Sequence, residues 1–144
     1  GRAREKQDRK GLEEKEVEEI LEEEPQAGHS KSGHATLKME SKDSSKIDVI
    51  DLIEVARDSM SAKIFNLAIR PDEDYMTYHA HLNAKFVEDC VRNMAKKVVD
   101  KFEHLDDEVI VTMNQSNDDS IHQHDAYAER IATMGSLRGE IKRT

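Results

Sequence analysis

Between residues 45 and 104 the apolar side chains recur every three or four positions, which is the period of an α-helix. Capping side chains at Ser45 and Asp48 predict that a first helix begins near Ser45. It should end near Ile69, because Pro71 disfavours the helical conformation of the residue before it. The apolar stripe of this helix comprises Ile50, Ile53, Ala56, Met60, Ile64 and Leu67.

A second and longer helix is predicted from Asp72 or Glu73 to about His104. Its apolar face is broader than one antiparallel neighbour can cover, so we expect a third helix or another protein chain to cover the remainder. We therefore predict that this face binds a partner. The residues assigned to the partner-binding face are Tyr75, Leu82, Phe86, Val87, Val91, Met94, Val98 and Phe102.

The segments after the second helix have weaker patterns. Residues 105–113 contain the successive β-branched residues Val109, Ile110 and Val111 but have no evident strand to pair with, so we expect a short helix or an extended edge. Residues 114–119 are polar and are predicted to form a loop. A last helix is predicted over residues 121–134 and should end at Gly135, before a flexible tail at 136–144.

The first 45 residues differ in composition from the rest of the chain. Residues 1–10 are mainly basic, whereas residues 11–24 contain eight Glu and one Lys. The acidic block has good helix formers but too narrow an apolar stripe to bury itself, so it is predicted to form only a transient helix. Residues 26–45 have the Ser- and Gly-containing composition of a linker.

These patterns predict an all-α fold. A helical hairpin or a small bundle of three to four helices should occupy residues 46–135, preceded by a disordered charged arm at residues 1–45. Six Gly and two Pro among 144 residues also argue against an all-β fold, since each of its many turns would use them.

Charge and cysteine content narrow the class of protein. A net charge of −9 opposes a role in binding nucleic acid. The single cysteine, Cys90, cannot form an internal disulfide, which favours an intracellular location in the cytoplasm. No apolar run is long enough to span a membrane. Because the chain begins with Gly rather than Met, we expect it to be a fragment or processed form of a longer protein.

Candidate metal sites are poorly matched to known ligand spacing. His79 with His81, and His122 with His124, have i,i+2 spacing, which places the two imidazoles on different sides of a helix. Residues 114–125 resemble a calcium loop in their oxygen-bearing side chains but lack its central glycine and final glutamate. A calcium- or metal-responsive regulatory domain is therefore only an alternative, and no metal or cofactor is predicted.

No residues are predicted to be catalytic. Cys90 lies on the apolar side of the second predicted helix, where a thiol is usually an inert core residue. The chain also has no Gly-rich loop of the kind that binds phosphate. We therefore expect that the protein is not an enzyme.

The segment 85–99 resembles a known class of binding helix. It carries Val87, Val91 and Ala95 at helical spacing, flanked by charged residues. This pattern looks like the short anchoring helices that dock on the regulatory subunits of cyclic-AMP-dependent kinase. The resemblance implies a kinase-anchoring helix, which is a second alternative. The main prediction is a non-enzymatic interaction or oligomerisation domain, an adaptor or scaffold that binds a protein partner or a second copy of itself through its helices.

Overall fold

The computed structural model describes residues 11–26, 29–60, 75–119 and 126–142, and the description of residues 23–26, 29–31, 75–83 and 119 extends to the backbone alone. In chain order the described elements are two strands, a 3-10 turn, two helices, two further strands and a final helix. They are β1 (Glu13–Gln26), β2 (His29–Ser41), the 3-10 turn (Ser44–Lys46), α1 (Val49–Met60), α2 (Tyr75–Lys101), β3 (Ile110–Asp119), β4 (Ala126–Thr133) and α3 (Met134–Lys142).

The four strands form one antiparallel sheet in the order β1-β2-β3-β4, so that each strand pairs with its neighbour in the sequence. Both α1 and α2 lie in the connection between the central strands β2 and β3. The register aligns Val17, Leu37, Met113 and Arg130 in one row across the sheet. Because side chains alternate between the two faces of a strand, this register determines which residues face the helices.

The helices pack on one face of the sheet and bury its apolar side chains. Full burial of each large apolar side chain contributes about 1.5–3 kcal/mol to stability, so this layer supplies most of the hydrophobic stabilisation. The opposite face, which we call the open face, carries the alternating residues that do not point towards this core. The core residues include Val17, Ala35, Leu37, Met39, Val111 and Met113 from the sheet and Leu52, Val55, Ala56, Val91, Met94, Val98 and Phe102 from the helices and the residue after α2.

The observed fold is α+β, so the predicted all-α hairpin or bundle is wrong. The acidic block at residues 11–24, predicted to be a transient helix in a disordered arm, lies almost entirely in β1. Glutamate favours helices locally, but intrinsic propensity is a weak preference that tertiary contacts override. Here the pairing with β2 and the burial of Val17 favour the strand.

The predicted linker at residues 26–45 is also wrong, because most of it forms the central strand β2. Ala35, Leu37 and Met39 are completely buried, while Thr36 and Lys38 between them are only partly buried. This two-residue alternation is the pattern of a strand with one buried face. The Ser and Gly residues in the same segment favoured the interpretation as a linker over this alternation.

The chain after α2 departs from prediction in three places. The β-branched run at residues 109–111 leads into β3, which pairs with β2 on one side and β4 on the other. The helix predicted over residues 121–134 is instead strand β4 from Ala126 onwards, with half-buried and exposed side chains in strict alternation. Gly135 does not end a helix but lies in the first turn of α3, and this helix contains most of the predicted flexible tail.

Two of the predicted helices are present, but α1 begins at Val49 rather than near Ser45, and α2 ends at Lys101 rather than near His104. Within the described residues α1 covers Val49–Met60 and α2 covers Tyr75–Lys101, while the predicted break at Pro71 lies outside them. Asp48 caps α1, because its Oδ1 accepts a hydrogen bond of 2.8 Å from the backbone N–H of Ile50. In the described part of the chain no helix combines the length and the apolar character that crossing a membrane requires.

Arg138 links α3 to the turn that follows α2. Its Nη2 donates hydrogen bonds to the backbone oxygens of Phe102 (3.0 Å), Glu103 (3.2 Å) and Leu105 (2.7 Å), and its Nη1 pairs with Asp107. These three carbonyl groups lie in the turn that follows α2 rather than in the helix. A single guanidinium therefore holds the turn that leads into β3.

Because α3 lies close to the turn between α2 and β3, we predict that any side chain at position 135 lowers the stability of the fold. A Cβ atom there would lie 2.9 Å from Asp107 Cβ and 3.4 Å from its backbone oxygen. We expect Gly135→Ala to lower the free energy of unfolding by about 1–3 kcal/mol, as overpacking does. Urea unfolding followed by circular dichroism measures the change.

Gly139→Ala is the matched control in the same helix, because a Cβ atom there meets nothing within 4 Å. Alanine is the better helix former, so this variant should be as stable as the parent or more stable by up to about 1 kcal/mol. Equal stability of the two variants would contradict the proposed close packing at Gly135.

Candidate functional site

The open face of the sheet is polar and predominantly acidic. Lys38, in its middle, has Nζ 3.8 Å from Glu14 Oε2 and 3.8 Å from Glu40 Oε1. The ammonium group of Lys38 thus lies between one carboxylate of β1 and one of β2. The acidic side chains that the strand register places on this face include Glu14, Glu16, Glu18, Glu22, Glu40, Asp118 and Glu129.

His34, on β2, lies on the open face with carboxylates near both of its ring nitrogens. Its Nδ1 is 3.5 Å from Glu18 Oε1 on β1, and its Nε2 is 3.6 Å from Asp118 Oδ2 on β3. The hydroxyl of Ser32 lies 3.4 Å from the same Nε2. The imidazole remains 29% exposed. Three neighbouring strands therefore contribute to one accessible histidine cluster, which consists of His34, Glu18, Asp118 and Ser32.

The row of residues that contains His34 continues across the sheet to an exposed aromatic ring. His34 pairs with Ser116 on β3, and Ser116 pairs with Tyr127 on β4. The Tyr127 hydroxyl donates a hydrogen bond of 2.7 Å to Glu129 Oε2, and this bond raises the pKa of Tyr127. With its amide turned to donate, the side-chain nitrogen of Asn114 lies 2.6 Å from the same oxygen. Glu129 thus holds the tyrosine ring in a defined position.

The histidine cluster has the chemistry of a general acid–base site. A histidine can exchange protons near neutral pH, and neighbouring carboxylates that accept its N–H groups orient the ring. The cluster is not arranged as a metal site, because nowhere in the described ranges do three His, Cys, Asp or Glu side chains come together in a way that could hold an ion. Proton transfer is the chemistry that these residues support directly.

A second set of polar side chains lies under the helices. Gln115 and Asn117 occupy helix-facing positions of β3 and are buried. Gln115 Nε2 donates a hydrogen bond of 3.2 Å to the backbone oxygen of Ser116. Within the described structure the side-chain oxygens of both residues have no hydrogen-bond partner. Because they are shielded from solvent, these amides cannot contribute to the open face.

The residues predicted to bind a partner lie mainly inside the protein. The sheet of the same chain supplies the covering surface that we expected from a third helix or a second chain. The assignment of these residues to a partner-binding face stays a prediction. The expected self-association of the chain also stays a prediction. Val91, Met94, Val98 and Phe102 are in the core, Val87 is buried, Phe86 is half-buried, and the side chains of Tyr75 and Leu82 lie outside the description.

The candidate calcium loop is not a loop where the structure describes it. Residues 114–119 lie in β3 and pair with strands on both sides through residue 117, which prevents them from wrapping around an ion. The side chains of His79 and His81 lie outside the description, as do residues 122 and 124 entirely. The paired-histidine alternative therefore has no structural support from the described residues.

Sequence reasoning missed the residues of the histidine cluster. His34 was not singled out, because residues 26–45 were interpreted as linker. The available signal was the alternation of β2, in which His34 and Thr36 occupy the positions opposite to the buried Ala35 and Leu37. The proximity of Glu18 could not have been inferred, since it depends on the register between two strands.

The chain is similar to a family of enzymes. A family model described as GCHY-1, type I GTP cyclohydrolase folE2, matches residues 7–128. The chain is 60% identical over 130 residues to the GTP cyclohydrolase MptA of Haloquadratum walsbyi, an alignment that covers 90% of this chain and 42% of that protein. The corresponding protein of Haloferax volcanii is 61% identical over 125 residues, covering 87% and 41%. That of Methanocaldococcus jannaschii is 45% identical over 132 residues, covering 92% and 42%.

These matches overturn the predicted function. The family and the relatives are enzymes by name, so a non-enzymatic adaptor or scaffold is the wrong class. The alternatives, a calcium- or metal-responsive regulatory domain and a kinase-anchoring helix, are overturned with it. The prediction failed because no catalytic motif is contiguous in this chain, and the candidate chemical groups come from three strands. The chain spans about two fifths of the length of these relatives.

The structure also predicts that Cys90 takes no part in chemistry. Burial raises the pKa of its thiol to about 12, so almost no thiolate is present at pH 8. We expect iodoacetamide to leave the folded protein unlabelled at pH 8 over a period that labels the urea-unfolded protein fully, as measured by intact mass. Labelling at the same rate in both states would contradict the burial of this thiol.

Proposed function

The chain belongs to the type I GTP cyclohydrolase folE2 family, and from this membership and the histidine cluster we propose that it forms part of a GTP cyclohydrolase in which His34 transfers protons. The substrate and reaction are those in the names of the relatives. Because the chain spans about two fifths of their length, the activity is proposed for the complete protein that contains it.

The reaction requires proton transfers that a histidine can perform. Hydrolysis of a ring adds water to a ring carbon and breaks a carbon–nitrogen bond, so the attacking water must lose a proton and the departing ring nitrogen must gain one. An imidazole can act as base in the first step and as acid in the second. The observation that carries this role is the accessible ring of His34 with a carboxylate near each nitrogen.

Glu18 and Asp118 are proposed to position the imidazole rather than to react. Glu18 Oε1 lies 3.5 Å from Nδ1 and restricts rotation of the ring. Asp118 Oδ2, at 3.6 Å, is beyond hydrogen-bonding distance of Nε2, so this nitrogen remains available to exchange protons. The hydroxyl of Ser32 gives the Nε2 atom an additional hydrogen-bonding neighbour.

The charge of the open face limits what this chain contributes to substrate binding. Its many carboxylates would repel the triphosphate of GTP. We therefore assign recognition of the phosphates to cationic groups elsewhere in the complete protein. An intracellular location, inferred from the single cysteine, is part of this proposal.

The proposal predicts a specific effect of His34→Asn in the complete gene product that carries this chain. GTP consumption, followed by chromatography of the nucleotide and its product, should show a fall in kcat/KM of about 10²–10⁴-fold, the usual contribution of general acid–base catalysis. The free energy of unfolding should change little, because the side chain is on the surface of the sheet.

His104→Asn provides a matched control. His104 is an exposed histidine whose Nε2 lies 2.8 Å from the backbone oxygen of Lys46, outside the histidine cluster. Its variant should retain activity within a few-fold of the parent. Equal activity of the two variants would remove His34 from the mechanism, and a parent protein that does not consume GTP would overturn the proposed function.

A further inference from the structure

We propose that Gln115 and Asn117 form a docking site, on the helix-facing side of the sheet, for a segment of the complete protein that lies outside this chain. The docking segment donates uncharged N–H or O–H groups to the two side-chain amide oxygens. More than half of each relative lies outside its match with this chain, so the complete protein is expected to contain further polypeptide that can supply such a segment.

The two amide oxygens are buried acceptors without a donor. Gln115 is completely buried and Asn117 is 7% exposed, and neither Gln115 Oε1 nor Asn117 Oδ1 has a hydrogen-bond partner among the described residues. Folded proteins rarely leave buried polar atoms unpaired, because the hydrogen bonds lost from water are then not replaced. Two such atoms, two residues apart on the same face of β3, therefore indicate donors that are supplied from outside the described structure.

The strand register indicates the side from which a donor can approach. Every residue aligned with the two amides is Gly or Ala, so small side chains flank them on both neighbouring strands. The neighbours on β2 are buried, whereas those on β4 are only half-buried. Within the described sheet β4 is an outer strand, so the docking segment can approach over it. The aligned residues are Gly33 and Ala35 on β2 and Ala126 and Ala128 on β4.

The surroundings favour an uncharged donor over a lysine or an arginine. A buried ammonium or guanidinium group would need a carboxylate to balance its charge. The row that contains Gln115 has one carboxylate, that of Glu19 on β1, and its Oε1 already lies 3.6 Å from Arg57 Nη2. The carboxylates of the open face project from the other side of the sheet. Backbone N–H or hydroxyl groups of the docking segment are therefore the donors that fit.

The test is hydrogen–deuterium exchange of the complete gene product, followed by mass spectrometry. Gln115→Met and Asn117→Leu remove the acceptor oxygens but keep side chains of similar size. Each variant should speed exchange by about 2- to 12-fold in the same segment outside this chain, the effect of losing one uncharged hydrogen bond. Met113→Leu changes the same face of β3 without removing an acceptor, so this matched control should leave exchange in that segment unchanged.

Ala128→Leu tests the direction of approach while it keeps both amides. The larger side chain covers the half-buried surface of β4 beside Gln115, so it should displace the docking segment and speed exchange of the same backbone amides. The inference is overturned if these variants speed exchange only within this chain, or if exchange outside it stays unchanged in all of them. The measurement does not depend on GTP consumption, so the inference and the proposed function can fail separately.

Discussion

The rest of this structure depends on the register of β2 between its two neighbours. β2 pairs with β1 on one side and β3 on the other, and in this register Val17, Leu37 and Met113 lie in one row under the helices. A shift of one residue would turn Leu37 towards solvent and Lys38 into the core. Because burying an unpaired ammonium is very costly, alignments shifted by one residue are strongly disfavoured.

The same register assembles the candidate site. The alignment that buries Leu37 also places His34 on the open face with Glu18 and Asp118 on either side, and it aligns Ser116 and Tyr127 with it. The apolar core and the histidine cluster therefore lie on opposite faces of one sheet. The helices stabilise the fold from one side and leave the side chains of the other face accessible.

The positions of the acidic residues on the sheet are more informative than the total charge of the chain. As a total, a charge of −9 argues against binding to polyanions. On the sheet, the carboxylates of Glu18 and Asp118 lie on either side of His34. Composition alone pointed towards an interaction domain, whereas membership of the family indicates an enzyme.

The presence of α1 and α2, although not their exact bounds, follows from the sequence alone, because helical periodicity is encoded within each segment and does not depend on distant residues. It also contained the alternation of β2, although the surrounding Ser and Gly residues obscured it. Only the tertiary structure decided that the Glu-rich segment is β1 and that His34 meets Glu18 and Asp118. Strand pairing is a contact between residues far apart in the chain, so neither local propensity nor spacing could reveal it.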